Sequence, residues 1–182
     1  MIYDPIVSHP FDIEILGQVR ELEMSELITV GIAQLRISSS PAVLRTILGS
    51  CIGICIYDRV KKIGGMVHIL LPFSQGNPRP EKYADSAIPM LVKMLMKEGA
   101  KKENMSAKIA GGASMFNFGS NILLGQIGDR NIEQTRIELS KLGIAVLADD
   151  VGGNFGRVID FYLEDGRLKV KAGKQEKIYY KV

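Results

Sequence analysis

Histidine and cysteine are scarce in this sequence: 182 residues include only His9, His68, Cys51 and Cys55. Any thiol or imidazole chemistry must draw on those four. If the cysteines share a strand, four steps of about 3.3 Å separate them by roughly 13 Å. That is beyond the ~7 Å a disulfide can bridge. CxxC and paired-ligand spacings are lacking, which argues against a zinc site or any other bound metal. No apolar run approaches the ~18 residues of a membrane-spanning helix, so no membrane insertion is expected. Met1 to Pro10 holds aspartate and prolines instead of a basic region followed by an apolar stretch. No secretory signal is visible there, and a cytoplasmic location is expected. The formal charge of +3 is small, and aromatic and basic residues do not interleave, which argues against nucleic acid. Internal repeats and low-complexity tracts are also lacking.

What is present suits a single globular domain. Hydrophobic residues make up 46% and charged residues 24%, enough to build a core at this length. Residues 1–26 read as an N-terminal arm with a short amphipathic helix around Leu16, Val19 and Leu22, leaving 27–182 as the domain. Strand-like runs cover Leu27 to Ile37, Ala42 to Leu48, Cys51 to Tyr57, Met66 to Leu71, Ser106 to Ala110 and Ile144 to Leu147. Val158 to Leu163 and Leu168 to Lys171 form a hairpin about Asp165-Gly166, and Ile178 to Val182 adds an edge strand. Ala84, Ala87, Ile88, Leu91, Val92 and Leu95 follow helical spacing. Pro89 falls awkwardly among them, implying a start near Ser86 or a kink. A second helix is predicted over Asn131 to Leu142, capped by Asp129 or Asn131 and stopped by Gly143. Many strands and two main helices without βαβ alternation indicate an α+β fold.

The segment Leu48 to Asp58, LGSCIGICIYD, carries the chemistry. On a strand, Ile52, Ile54 and Ile56 share one face and Cys51, Gly53 and Cys55 the other. The isoleucine face is the natural core face, and Gly53 leaves space beside Cys51. A hairpin pairing Tyr57 with Lys62 places Cys51 directly opposite His68, with Cβ atoms ~4.5–5.5 Å apart. An imidazole that accepts the thiol proton makes a nucleophile able to attack an acyl carbon. The alternative from composition alone is that both cysteines are small core residues and His68 a structural histidine; for Cys55 that reading stands. The glycine patches at 111–112, 128 and 152–156 offer either backbone N–H groups for an oxyanion or simply tight turns. None fits a P-loop or a dinucleotide fingerprint. From Arg167 onward six basic side chains face a single acid, Glu176. This strip suits either an acidic partner or a lysine-protected strand edge.

In this order, LGSC, GGMVHILLP, KYADSAI, AKIAGGASMF, IGDRN and DDVGGNFGR resemble the CheD family over roughly Ile28 to Lys171. The resemblance implies a compact α/β sandwich of mixed or antiparallel sheet flanked by two main helices. It also implies deamidation of glutamines to glutamate on chemoreceptor cytoplasmic helices. Some members show methylesterase activity, and some bind a CheC-type phosphatase. Cys51 would be the nucleophile, His68 the base and Thr46 the orienting residue, with no cofactor. In some members the threonine lies one position upstream, where this chain has Arg45, so a local shift is expected. Ser50, Gly112 and Asn154 are the candidate substrate or oxyanion contacts. Rival readings are a cysteine hydrolase acting on another acyl substrate, and a binding module acting on a CheC-like partner.

Overall fold

A computed structural model describes residues 25–114 and 126–180. Among these described residues, ten strands lie in two mixed sheets. The first orders β1 (Glu26–Thr29), β3 (Ala42–Leu48), β8 (Arg157–Tyr162), β9 (Leu168–Ala172) and β10 (Gln175–Tyr179) side by side. The second orders β2 (Leu35–Ser39), β5 (Ile63–Ile69), β4 (Ile52–Asp58), β6 (Met105–Gly111) and β7 (Ala145–Val151). Helices α1 (Ala84–Lys97) and α2 (Ile127–Lys141) pack against the second sheet. The α+β sandwich with two main helices is thus the fold observed.

Alternation along β4 explains the layering. Ile52, Ile54 and Ile56 join Ala84, Ile88, Leu91 and Leu95 of α1 in one apolar cluster. Cys51, Cys55 and Tyr57 face the other way, toward Leu44, Leu48, Ile159 and Phe161 of the first sheet. Every residue of β4 is buried. Both faces are therefore core faces, which corrects the expectation of open space beside Gly53. A Cβ at Gly53 would meet Ile159 Cδ1 at 2.9 Å and Leu48 Cδ1 at 3.1 Å.

Several boundaries differ from expectation for local reasons. The run from Leu27 to Ile37 is two strands in different sheets. Gln34 breaks it by folding its side chain back to accept the Gly31 N–H at 3.1 Å, with Ala33 at φ +54°. Helix α1 begins at Ala84 and retains Pro89 inside. Its first turn is fastened by the Ala84 and Asp85 N–H groups donating to the carbonyls of Leu71 and Pro72. Helix α2 starts four residues earlier than predicted, and Asp129 and Asn131 lie within it instead of capping it. Gly128 permits this, because a Cβ there would meet Gly112 O at 2.5 Å. β10 runs from Gln175 to Tyr179. The helix expected around Leu16 to Leu22 lies outside the described residues.

The β4–β5 turn is built by Asp58. Its Oδ1 accepts the N–H groups of Val60 and Lys61 at 2.9 and 3.0 Å, and its Oδ2 that of Lys101 at 2.7 Å. Burial opposes charge on this carboxylate, but these donors outweigh it and hold its pKa below the usual value.

Gly65, where β5 crosses under α1, allows a close approach of helix and sheet. A Cβ there would meet Leu91 Cδ1 at 2.5 Å and Arg36 O at 2.9 Å. Gly65→Ala is expected to cost about 1–3 kcal/mol by overpacking. Urea denaturation checks this; an unchanged midpoint would contradict the packing described.

Candidate active site

Two strands, one from each sheet, meet at one imidazole. Met66 and His68 of β5 point between the sheets, and Thr46 of β3 points back at them because Leu44, Thr46 and Leu48 share the inward face. His68 and Thr46 are 2% and 1% exposed. Thr46 Oγ1 lies 2.8 Å from His68 Nδ1 and 2.6 Å from the Val30 carbonyl. A carbonyl only accepts, so the single hydroxyl proton goes to Val30 and the oxygen accepts from Nδ1–H. This fixes the tautomer: Nδ1 carries the proton and Nε2 presents a lone pair. Nε2 is buried and has no hydrogen-bond partner among the described residues. Arg45, on the outward face, pairs with Asp160 of β8. Thr46, not the residue at position 45, faces the imidazole.

Cys51 sits immediately before β4. The hairpin register differs from the prediction by two residues: Tyr57 pairs with Gly64, and Gly53 with His68. Cys51 is therefore not directly opposite His68. Because the slip is even, the two stay on one face as diagonal neighbours, a relation of ~7–8 Å between the residues. The turn remains four residues long but comprises Arg59 to Lys62, with Lys62 at φ +52°.

Burial sets the resting charges. It pushes the Cys51 thiol pKa up, with the residue's own backbone N–H acting against the rise. It pushes the His68 pKa down, partly offset by the Val30 carbonyl. The pair therefore rests as neutral thiol and neutral imidazole, with the imidazole ready to accept a proton. Cys55 is 1% exposed against 7% for Cys51, and burial drives its thiol pKa far above the usual range.

The backbone before Cys51 is closely held. Gly49 O accepts from Ala113 N, and Cys51 O from Gly112 N, each at 2.8 Å. Gly111 has φ +109°, and a Cβ there would collide with the Cys51 carbonyl. The Gly112 N–H is committed to that carbonyl, leaving no proton for an oxyanion. Ser50 immediately precedes Cys51 and is half-buried. Asn154 is exposed in the 152–156 turn, which is anchored by Gly152 N to Gly111 O at 2.9 Å and Ser114 N to Gly153 O at 2.8 Å. Asp150 accepts from buried Arg157 Nε at 2.7 Å and from the Tyr179 hydroxyl at 2.8 Å, holding both ends of that turn. Within the basic strip, Lys169 pairs with Asp160 and Glu176, and Lys177 with Asp150, so part of its charge is neutralised.

Sequence reasoning assigns no site role to Asn131, which is wholly buried on α2. Its Nδ2 donates to Ser50 O at 3.1 Å and Leu70 O at 3.0 Å. Its place in the stripe Gly128, Asn131, Ile132, Thr135, Leu139 is the available signal.

The family model "CheD chemotactic sensory transduction" matches residues 70–172. The protein named "Probable chemoreceptor glutamine deamidase CheD" from Desulfitobacterium hafniense (strain DSM 10664 / DCB-2) is 49% identical over 151 residues. That alignment covers 81% of this chain and 94% of that protein. "Chemoreceptor glutamine deamidase CheD" of Halalkalibacterium halodurans is 44% identical over 157 residues, 84% of this chain and 97% of that one. A Methanococcus maripaludis (strain C5 / ATCC BAA-1333) relative is 41% identical over 153 residues, covering 83% and 98%. This chain belongs to the CheD family. Among solved structures, Bacillus licheniformis hypothetical protein YfiH superposes with TM-score 0.46 at 14% identity, over 76% of this chain and 68% of that one. No helix among the described residues is long and apolar enough to cross a membrane.

Two measurements check the site. Brief iodoacetamide treatment of the native protein is expected to label Cys51 and spare Cys55, read by peptide mass spectrometry; equal labelling would contradict the difference in burial. The second follows from linkage. Folding lowers the His68 pKa, so the unfolded chain binds the proton more tightly. His68 then stabilises the fold above about pH 6.5 and loses that contribution as pH falls through its folded value. His68→Gln should flatten the decline of Tm between about pH 7.5 and 5.5; parallel slopes would contradict it.

Proposed function

We propose that the protein deamidates glutamine side chains of chemoreceptor cytoplasmic helices to glutamate, with Cys51 as nucleophile, His68 as base and acid, and Thr46 as the residue orienting His68. The chemistry is supported by the hydrogen-bond chain from the Val30 carbonyl through Thr46 to His68, which leaves Nε2 as an acceptor on the face it shares with Cys51. The substrate is supported by the names of relatives up to 49% identical.

His68 Nε2 takes the Cys51 proton as sulfur attacks the glutamine Cδ, forming a C–S bond and a tetrahedral oxyanion. Collapse breaks the C–N bond, and the imidazolium returns its proton to the departing ammonia. Water, deprotonated by the same Nε2, then cleaves the glutamyl thioester and regenerates the thiol. Water is consumed and ammonia released, without a cofactor. Ser50 and Asn154 are proposed to contact the substrate. The receptor's cytoplasmic domain is the partner of this reading, with a CheC-type phosphatase as a second one. The same thioester route serves a glutamyl methyl ester.

Mass spectrometry of a cognate receptor fragment tests the proposal. Wild type should add about one dalton at specific glutamines, and Cys51→Ala none. His68→Ala should be slower by about 10²–10⁴-fold and Thr46→Ala by about 10²-fold through misorientation. The acid limb of kcat/KM should lie below the ordinary histidine value of about 6.5, since burial keeps His68 neutral. A wild type that leaves the folded fragment unmodified would favour the partner-binding module instead.

A further inference from the structure

Three successive carbonyls lead into the nucleophile, and each has a partner. Gly49 O and Cys51 O are held by the N–H groups of Ala113 and Gly112. The middle one, Ser50 O, is held by a side chain, Nδ2 of Asn131 at 3.1 Å. The second proton of the same amide goes to Leu70 O at 3.0 Å, two residues beyond His68. Both acceptors are carbonyls, so the amide orientation is fixed by chemistry.

The position of this bridge matters. The β4–β5 ladder ends at the pair Ile52 and Ile69. Cys51 and Leu70 are the first residues past it, where the backbone of β5 departs to bond Lys82: the N–H groups of Leu70 and Leu71 donate to Lys82 O at 2.9 and 3.1 Å. The ladder ties β4 to β5 up to that pair, but no ladder bond joins the residues past it, Cys51 and Leu70. Asn131 spans the two ends instead. Its own Oδ1 is buried without a partner among the described residues, a cost that leucine of similar volume would avoid. What the amide supplies is two donors just past the end of the ladder, one for the carbonyl before Cys51 and one for Leu70.

We propose that Asn131 is a positioning residue, a clamp from α2 that sets the spacing of Cys51 and His68 by holding the carbonyls beside them. The inference rests on the Cys51–His68 reading above and deepens it. Asn131 does not touch the reacting atoms; it acts through Ser50 and Leu70.

The test uses the full-length chain and a probe that needs no receptor. Rates of Cys51 alkylation by iodoacetamide are measured against pH for wild type, His68→Ala, Asn131→Ala, Asn131→Asp and Leu95→Ala. Leu95→Ala removes a buried side chain of α1 and serves as the stability control. Wild type should show a His68-dependent shoulder between about pH 6 and 8. Both Asn131 variants should lose it and resemble His68→Ala, while Leu95→Ala keeps it despite a lowered Tm. On a receptor fragment, Asn131→Ala should lower kcat by about tenfold or more with KM little changed. If Asn131→Ala follows Leu95→Ala in both assays, the clamp is overturned and the Cys51–His68 pair stands. If wild type and His68→Ala share one profile, the pair itself falls, and the clamp with it.

Discussion

Strand β4 is buried on both faces, and most of the molecule answers to that constraint. Its isoleucines need an apolar layer on one side, which α1 supplies, while Cys51, Gly53, Cys55 and Tyr57 need one on the other, which the first sheet supplies. A strand with no solvent face draws its neighbours into the interior too, so β5 is buried throughout and β6 nearly so. The candidate nucleophile at the start of β4 and the histidine on β5 thereby lie in a layer that is mostly hydrocarbon.

Polar groups in such a layer need partners, because an unsatisfied buried donor or acceptor costs about 1–3 kcal/mol. Thr46 and His68 join across the sheets for that reason, and the join also decides which imidazole nitrogen is protonated. Lys108, buried opposite Cys55, sends its ammonium to the Gly166 carbonyl at 2.6 Å, and burial lowers its pKa. Arg157 reaches Asp150 and, at 4.5 Å, the face of Phe155. These contacts stitch the two sheets or their connecting turns together. Among the described residues, the buried side-chain atoms left without a partner are His68 Nε2, Asn131 Oδ1 and Thr135 Oγ1.

Much of this is legible in the residues themselves. Period-two alternation separates the isoleucine and cysteine faces of β4, and period-3.6 spacing finds the buried stripe of α1. Scarcity reduces the imidazole candidates to two, and ordered motifs select His68 and Thr46. Turn chemistry is less legible. Gln34 folding onto Gly31 splits one expected strand into two, and Gly128 lets α2 begin before its supposed caps. The β4–β5 register differs by two because Asp58 closes the turn with its side chain, keeping residue 58 in the strand and moving the turn one residue on.

The sequence alone determined the α+β class and the face of β4 on which Cys51 lies, since these follow from residue type and local period. Tertiary structure decided what crosses between elements. It brought the Val30 carbonyl to Thr46, fixing the tautomer of His68. It committed the Gly112 N–H to Cys51 and set Asn131 between Ser50 and Leu70. Those contacts join residues from 16 to 81 positions apart, and no local pattern encodes such distances. Only the packing of the two sheets and the helix layer specifies them.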